Sequence, residues 1–310
     1  MLLLWRVLQF YGRFFLSFTA IGHSVRSLLW KALEADFTGQ TWLVTGASGG
    51  IGKAVALAAA HAGARVIIAG RSAEKLEAVV REAGPDLDIT AETADLSLMR
   101  EVATLVDRLA GQKIDVLVNN VGVLLNRHSL TDEGHETSFA TNILGHYLLT
   151  EKLLEAGSLG PGSAVINMSS GGMHNAPLVL EPMNAMTPER FNGVAAYAMH
   201  KRAMAVLTDH WQAQHGELRF YLTHPGWVDT DGVKTSLPTF RKLLKWVLRD
   251  ADQGADTALW LAARRPEPKP ETVWFDRAAR PAHAFKRTRA SKHAPVDLVA
   301  FLDGATRKRR

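Results

Sequence analysis

Short apolar runs alternate with amphipathic segments along the chain from residue 41 onward. The runs at 64–69 and 114–119 are almost continuous in apolar residues, which is typical of strands buried on both faces of a parallel sheet. Between the runs, apolar residues recur at three- or four-residue steps, as they do on helices. This alternation predicts an α/β fold with a doubly wound parallel sheet, the Rossmann fold. The predicted strands are 41–45, 64–69, 88–93, 114–119, 163–168, 218–224 and 272–275.

The first 35 residues follow a different pattern, in which many aromatic and aliphatic residues are interrupted by polar ones. Their three- or four-residue spacing predicts one or two amphipathic helices. The longest stretch without Lys, Arg or His, at 14–22, is well short of the ~20 residues that a membrane-spanning helix needs. Arg6 also interrupts the apolar core that a secretory signal requires, so we do not expect export.

Two interpretations of this extension stay open. Its apolar face packs against the domain or a partner, or the helix lies in a membrane interface with its arginines toward the headgroups. The predicted organisation is an amphipathic helical extension at 1–37, a single Rossmann-fold domain at 38–277 and a basic tail at 278–310. The Pro-rich segment 265–270 is predicted to be a surface loop before the last strand.

The positive charge of the chain is concentrated at its C-terminal end. The net charge is +5, but ten Lys and Arg against two Asp follow residue 276, so residues 1–276 carry a net negative charge. We therefore do not expect a nucleic-acid-binding body. A solvated or partly disordered tail is the expected structure, and docking of the tail on an anionic surface is the alternative.

The amino-acid composition also excludes several kinds of reactive or metal-binding site. The chain has no cysteine, which excludes disulfides, thiolate metal sites and cysteine nucleophiles, and a cytoplasmic setting is the default expectation. The twelve histidines show no metal-binding spacing. We therefore expect no metal and interpret residues such as His200 and His224 as packing or hydrogen-bonding groups.

A glycine-rich segment, TGASGGIG at 45–52, lies between the first predicted strand and an Ala-rich helical segment. Glycines let the backbone approach an anion closely, and the free N–H groups at the start of a helix bind phosphate. Strand, turn and helix in this order predict a dinucleotide-binding site.

The residue after the second predicted strand bears on the choice of dinucleotide. An NAD-binding protein places an acid there for the ribose 2′-hydroxyl, whereas this chain has Arg71. A guanidinium pairs well with a 2′-phosphate, so the sequence favours NADP(H) over NAD(H). Ser48 and Lys53 are further candidates for that pocket.

Tyr197 and Lys201 stand four residues apart, so they are neighbours on one face of a predicted helix. A phenol with a pKa of about 10 becomes a useful acid–base catalyst near neutral pH when a nearby cation stabilises its anion. Taken alone, such a pair is common on protein surfaces.

Seven motifs in order make the chain similar to the short-chain dehydrogenase/reductase family over residues 38–276, and the long segment 171–195 resembles that of its retinol-dehydrogenase-like branch. The motifs are Thr45-Gly46 with Gly50 and Gly52, Asp95-Leu96, Asn119-Asn120-Val121-Gly122, Asn142, Ser169-Ser170, Tyr197 with Lys201, and Pro225-Gly226 with Val228 and Thr230.

The resemblance implies nicotinamide-dependent interconversion of an alcohol and a carbonyl on a small molecule. Tyr197 would exchange the proton, Ser170 would hydrogen-bond the reacting oxygen, and Ser169 would pack. Lys201 would lower the Tyr197 pKa and hold the nicotinamide ribose, and Asn142 would position a relay water. The implied cofactor-binding residues are Thr45, Gly46, Ser48, Gly50, Ile51, Gly52, Arg71, Asp95, Leu96, Asn119, Asn120, Val121, Gly122, Tyr197, Lys201, Pro225, Gly226, Val228 and Thr230. Homo-oligomer formation through helices at 134–156 and 196–215 is also implied.

The chain departs from the family pattern at two places. Ser170 and Tyr197 lie 27 positions apart, a longer gap than is usual, and the methionines in segment 171–195 suit either an adaptable apolar substrate wall or a surface insert with its own contacts. Val121 replaces the usual alanine beside the cofactor, which puts nothing essential in doubt.

Two other functions compete with this one. The first is a cofactor-binding scaffold at a membrane surface with vestigial catalysis. The second is an epimerase or dehydratase of the related extended branch, for whose larger substrate domain the chain leaves little room after Lys201.

Overall fold

The computed structural model describes residues 2–181, 183, 184 and 187–307. Pro182 and Met186 of the 171–195 segment, and the basic residues 308–310 of the tail, lie outside the described residues.

One eight-stranded sheet organises the fold, with the strand order β3-β2-β1-β4-β5-β6-β7-β8. The first seven strands are parallel, and β8 pairs with β7 in antiparallel orientation. The predicted Rossmann fold is confirmed, and each predicted strand agrees with an observed one to within two residues. The strands are β1 Thr41–Thr45, β2 Arg65–Gly70, β3 Ile89–Thr93, β4 Val116–Asn119, β5 Ala164–Met168, β6 Arg219–Thr223, β7 Thr272–Phe275 and β8 Ala278–Pro281.

Helices cover both faces of the sheet. The helices are α1 Leu2–Phe18, α2 Ala20–Ser27, α3 Gly50–His61, α4 Ala73–Ala83, α5 Met99–Arg108, α6 Thr137–Phe139, α7 Gly145–Glu155, α8 Gly193–Gln214, α9 Asp231–Ser236, α10 Pro238–Leu244, α11 Ala251–Arg264 and α12 Pro295–Arg307. A π-helical segment, Ala140–Leu144, joins α6 to α7.

Alternation along each strand divides the core into two apolar clusters. In β1, Leu43 faces the cluster formed with α5, α7, α8 and α12, whereas Trp42 and Val44 face the cluster formed with α3, α4 and α11. Because both faces of the inner strands are covered, most of their residues are apolar. The carboxyl ends of the parallel strands therefore share one edge, where ligands bind in such folds.

The N-terminal extension forms the two predicted amphipathic helices, and one face of them packs on the domain. Phe18 at the end of α1 is buried, and its carbonyl accepts a hydrogen bond of 2.9 Å from the Trp227 amide. The Ala20 amide at the start of α2 donates to the Val247 carbonyl at 2.9 Å. Among the described residues, no helix combines the length and the apolar character needed to cross a bilayer.

The segment after residue 277 is structured, which corrects the expectation of a solvated tail for residues 278–307. Leu298, Leu302 and Ala305 of α12 are buried in the core, and the Tyr147 hydroxyl donates to Asp303 at 2.7 Å. The overall charge of this segment masked the helical spacing of these apolar positions, which lie four and three residues apart. Pairing of two copies through α7 and α8 stays a prediction, and α12 covers part of both helices.

The sequence analysis did not predict strand β8, because its residues show no strand-like pattern. It has four residues, AARP, and is only partly buried. The turn before it places Asp276 and Arg277 at φ values of 50° and 56°. Hairpin turns of this kind usually carry Asn or Gly, so the pair gave no turn signal. The Pro-rich segment 265–270 is an irregular loop, as predicted.

Candidate active site

The glycine turn at the end of β1 forms an open cradle at the start of α3. A Cβ on Gly52 would lie 2.5 Å from the Gly46 carbonyl oxygen, so only glycine lets α3 begin this close to the turn. Gly46 and Gly50 have φ values of 66° and 55°. Gly49 has open space around it, and no side chain caps the first N–H groups of α3. The cradle thus fits a phosphate group of a dinucleotide.

Thr45 and Asn120 hold this turn in place. The Thr45 hydroxyl accepts from the Asn120 amide at 3.0 Å, and the Asn120 side chain donates to the carbonyls of Thr45 and Gly46 at 3.0 and 3.2 Å. The implied cofactor residues at the ends of β1 and β4 therefore form one hydrogen-bonded unit. Val121 packs against Gly46, where a Cβ would come within 2.9 Å of Val121 Cγ2.

Arg71 is exposed immediately after β2, where the sequence analysis placed it. No acid accompanies it at the end of β2, so the local chemistry fits a 2′-phosphate. Lys53, the other cationic candidate for that pocket, forms an ion pair of 2.5 Å with Glu82 on α4.

Three of the implied cofactor residues direct their side chains elsewhere. Asn119 lies inside the sheet, where its amide nitrogen donates to Thr150 and Asn167 at 3.1 and 2.9 Å. Leu96 belongs to the apolar core. One Asp95 oxygen accepts from the Ser97 amide at 2.9 Å. For Asn119 and Leu96, only main-chain atoms are placed to meet a ligand.

Ser170, Tyr197 and Lys201 come together at the carboxyl end of β5. The Ser170 side chain acts to lower the pKa of Tyr197, but burial of the phenol has the larger effect, and the pKa is raised overall. The Lys201 ammonium lies 5.7 Å from the centre of the Tyr197 ring and donates to the Met168 carbonyl at 2.8 Å. Burial lowers the pKa of Lys201 to about 8. The expected lowering of the Tyr197 pKa by Lys201 is therefore not seen in the protein alone.

Asn142, which lies in the π-helical segment, is the fourth residue of this group. Its side chain pairs with the main chain of Val123, accepting from the amide at 2.7 Å and donating to the carbonyl at 2.8 Å. A Cβ on Gly122 would lie 3.5 Å from Asn142 Oδ1 and 3.4 Å from Lys201 Nζ. Asn142 and Lys201 thus face the same small space beside Gly122. A π-helical turn contains one residue more than an α-helical turn, so it shifts side chains such as that of Asn142 away from their regular α-helical positions.

Gly226 makes room for a buried arginine that the sequence analysis did not single out. Its φ is 81°, and a Cβ there would lie 2.3 Å from Arg249 Nε. Val228 is buried, and the Thr230 hydroxyl caps α9 by accepting from the Val233 amide at 3.3 Å. Pro225, Gly226, Val228 and Thr230 all line the cavity described next.

A cavity of about 870 Å³ opens beside Ser170 and Tyr197. It reaches Ile51 and Gly122 on the cofactor side, and aliphatic and aromatic side chains form most of its wall. Neither interpretation of segment 171–195 holds as stated: Met173 and Met183 are buried in the main core with Leu178 and Leu180, whereas other residues of the segment line the cavity. The lining residues from this segment are Gly172, Asn175, Ala176, Pro177, Val179, Asn192, Val194 and Ala195.

Arg202 was also missed, although it follows Lys201 directly. Its side chain is buried and donates to the carbonyls of Met173, Ala176 and Ala282 at 2.7, 3.2 and 2.9 Å. It thereby fastens segment 171–195 to the end of β8. No spacing rule reveals such contacts, because its partners are main-chain atoms.

Comparison with known proteins agrees with this geometry. The profile of the short chain dehydrogenases matches residues 40–239. The chain belongs to the short-chain dehydrogenase family. It is 36% identical over 288 residues to dehydrogenase/reductase SDR family member 12 of Bos taurus, with 89% of each chain covered. It is 32% identical to retinol dehydrogenase 13 of Homo sapiens over 64% of this chain and 62% of the relative.

A solved structure shows the same likeness. A protein of Mycobacterium paratuberculosis without an assigned function is 28% identical to this short-chain dehydrogenase and superimposes with a TM-score of 0.72, covering 90% of this chain and 98% of the other. The family and these relatives identify the chain as an oxidoreductase that acts on CH–OH donors. In the part of this dehydrogenase that the structure describes, no group of three or more His, Asp or Glu is placed to hold a metal ion.

Several histidines of this short-chain dehydrogenase are buried near the site. Burial, aided by the charge of Lys201, lowers the pKa of His146 to about 3. Burial likewise lowers the pKa of His174 to about 3 and that of His200 to about 4. His200 Nδ1 lies 3.4 Å from the Asn142 amide nitrogen, so this histidine contacts a site residue although the sequence placed it on another helix face.

The low pKa of His146 predicts a loss of stability in acid. Its folded pKa of about 3 lies below the value of about 6.5 expected for the unfolded chain, so between these values the unfolded state binds more protons. Stability is therefore lost as the pH falls below about 6.5. As the pH falls through this window, we expect the free energy of unfolding of His146→Leu to rise relative to that of the wild type, by up to ~1.4 kcal/mol per pH unit. Urea unfolding at a series of pH values measures this difference. The same change at the exposed His61 is the control, and parallel curves for wild type and His146→Leu would contradict the prediction.

Proposed function

We propose that this protein is an NADP(H)-dependent oxidoreductase that interconverts an alcohol and a carbonyl on an apolar substrate, with Tyr197 as the general acid/base. The observation that carries the proposal is the position of Ser170 and Tyr197, which together line an apolar cavity that also reaches Ile51 of the glycine turn. A substrate in this cavity can bring its oxygen to both hydroxyls.

The protonation states of the site suit the reductive direction. A raised pKa keeps the Tyr197 phenol protonated at neutral pH, so it can donate to the substrate oxygen. Ser170 supplies a second donor where negative charge develops on that oxygen. A bound NADPH supplies the hydride.

Lys201 and Asn142 support Tyr197 from the buried side. With a pKa of about 8, Lys201 is mostly charged at pH 7 but gives up its proton more easily than an exposed lysine. This favours a role in returning a proton to Tyr197 after each turnover. Asn142, fixed by two bonds to Val123, faces the same space and can hold a water for that transfer.

The apolar lining of the cavity is the reason for proposing an apolar substrate. Ligand sites combine an apolar wall with a few well-placed polar groups, and here Ser170 and Tyr197 are such groups. One relative is named retinol dehydrogenase 13, and retinol is an apolar alcohol, which agrees with this substrate class.

Replacing Tyr197 by Phe tests the catalytic proposal. The variant keeps the ring and loses the transferable proton, so we expect kcat with NADPH and an aldehyde panel to fall by about 10²- to 10⁴-fold. NADPH binding, followed by fluorescence, should change little. Tyr221→Phe is the matched control, because its hydroxyl donates to the Pro266 carbonyl away from the cavity. Equal rates for Tyr197→Phe and wild type would favour a non-catalytic scaffold.

Replacing Arg71 tests the cofactor preference. A charged hydrogen bond to phosphate contributes about 1.5–3 kcal/mol, so Arg71→Ala should raise the Kd for NADPH roughly 10- to 100-fold and leave that for NADH nearly unchanged. Lys53→Met is the control, because Lys53 pairs with Glu82. A parallel loss for both cofactors, or none for either, would contradict the assignment of Arg71 to the 2′-phosphate.

We also propose that this cytoplasmic protein is held at the surface of a membrane. Among the described residues, eleven of the fourteen large hydrophobic side chains that are exposed lie on α1, on α2 or its end, or near the end of α10. Leu28, Leu29 and Trp246 are 84%, 88% and 85% exposed. Such a concentration marks an interaction surface. The neighbouring exposed residues Lys242 and Lys245 suit anionic headgroups.

Flotation with phosphatidylcholine–phosphatidylserine vesicles tests the attachment. We expect the full-length wild type to float and the triple variant Leu28→Ser, Leu29→Ser, Trp246→Ser to stay largely in the dense fraction, because it loses apolar area that would enter the interface. The control is Leu130→Ser with Val296→Ser, which removes exposed apolar groups elsewhere. Equal flotation of wild type and triple variant would rule out this surface.

A further inference from the structure

Helix α1 forms part of the substrate cavity. Phe10 and Tyr11 line it together with Ser170 and Tyr197. The contact is close, since a Cβ on Gly171, the residue after Ser170, would lie 2.8 Å from Phe18 Cε2 and 3.4 Å from Phe10 Cζ. The helix that precedes the dehydrogenase domain thus packs on the main chain that follows the reacting centre. We call Phe10 and Tyr11 the N-terminal wall.

Stacked aromatic side chains fix this wall to the domain. Along α1, the ring centres of Phe10 and Phe14 lie 5.1 Å apart, and those of Phe14 and Phe18 lie 4.4 Å apart. Tyr11 packs against Trp227 with ring centres 5.5 Å apart, and Trp227 in turn packs edge-on against Phe240 of α10 at 5.3 Å. The wall is therefore continuous with the side of the cavity that α10 forms.

A buried ion-pair cluster anchors the carboxyl end of α1. Arg249 and Asp276, each with a side chain that is 1% exposed, pair at 2.7 Å. Arg249 also donates to the carbonyls of Ser17 and Phe18 at 3.0 and 3.1 Å, and Arg26 of α2 pairs with the same carboxylate. We call Arg26, Arg249 and Asp276 the clamp. Because charged groups buried this deeply need such partners, the clamp specifies one position for α1.

The chemistry of the cavity indicates which part of a substrate meets the wall. The two donors, Ser170 and Tyr197, hold the reacting oxygen, and Arg287 is the single charged residue that lines the cavity in the described part of the chain. Phe10 and Tyr11 offer ring surface to the remainder of the cavity. A substrate with a long apolar group can therefore cover these rings while its oxygen meets the two donors.

We propose that Phe10 and Tyr11 are specificity-determining residues, which favour substrates whose apolar chain extends well beyond the reacting carbonyl. This inference rests on the proposed reductase function and adds the N-terminal helix to its substrate site. Phe10 and Tyr11 lie outside residues 40–239, so they are not part of the segment that the family profile covers.

Aldehydes of different chain length test the wall. We expect Phe10→Ala and Tyr11→Ala to raise the KM for decanal about tenfold with NADPH, because the apolar chain loses buried contact area. The KM for butanal, and kcat for both aldehydes, should stay within about twofold. Leu16→Ala is the matched control, because Leu16 is on the same helix but is 66% exposed. Equal changes for butanal and decanal, or no change for either, would overturn the inference.

A binding measurement separates this inference from the proposed function. If the wild type reduces no aldehyde, the proposed function fails, and calorimetric titration with 1-decanol still tests the wall. Weaker decanol binding by both wall variants than by Leu16→Ala supports the wall, whereas equal binding, or no binding by the wild type, overturns it. Tyr11 is 37% exposed, so Tyr11→Ala provides a folded variant even where Phe10→Ala disturbs α1. NADPH affinity checks that each variant keeps its cofactor cleft.

Discussion

The position of the N-terminal helices relative to the catalytic domain depends on the buried pair of Arg249 and Asp276. Burying two charges is costly, and the attraction between them compensates only when the remaining donors and acceptors are also satisfied. Here they are, because Arg249 donates to both carboxylate oxygens and to three main-chain carbonyls. Two of these carbonyls belong to the end of α1. Gly226 leaves the space that the guanidinium occupies, so a motif implied for cofactor binding also serves the packing of the extension.

The side chains of the candidate catalytic group are also held in position by contacts within the protein itself. Lys201 is held by a carbonyl of β5 and Asn142 by the main chain of Val123, and the Ser170 hydroxyl accepts from the Gly172 amide. Burial dominates the protonation of both titrating groups, raising the pKa of Tyr197 and lowering that of Lys201. The site thus rests with a protonated phenol and a lysine that gives up its proton readily, an arrangement that suits the proposed carbonyl reduction.

The N-terminal extension has two faces with different environments. Its inner face lies against the catalytic domain, where Phe18 is buried at 3% exposure. Its outer face leaves residues such as Leu16 and Val25 exposed at 66% and 61%. The same helix can therefore close the substrate cavity and meet an apolar surface. For a substrate that partitions into lipid, this arrangement would place the cavity next to the phase in which the substrate dissolves.

The sequence by itself determined the Rossmann fold, the seven parallel strands and the residues Ser170, Tyr197, Lys201 and Asn142, because periodicity and motif spacing are local properties of the chain. It also placed the glycine turn and Arg71. Only the tertiary structure decided the rest. It turned the Asn119 side chain into the sheet, buried α12 despite the charge around it, and brought Arg249 to the end of α1. These outcomes depend on contacts between residues distant in sequence, often with main-chain atoms, which leave no pattern in the order of side chains.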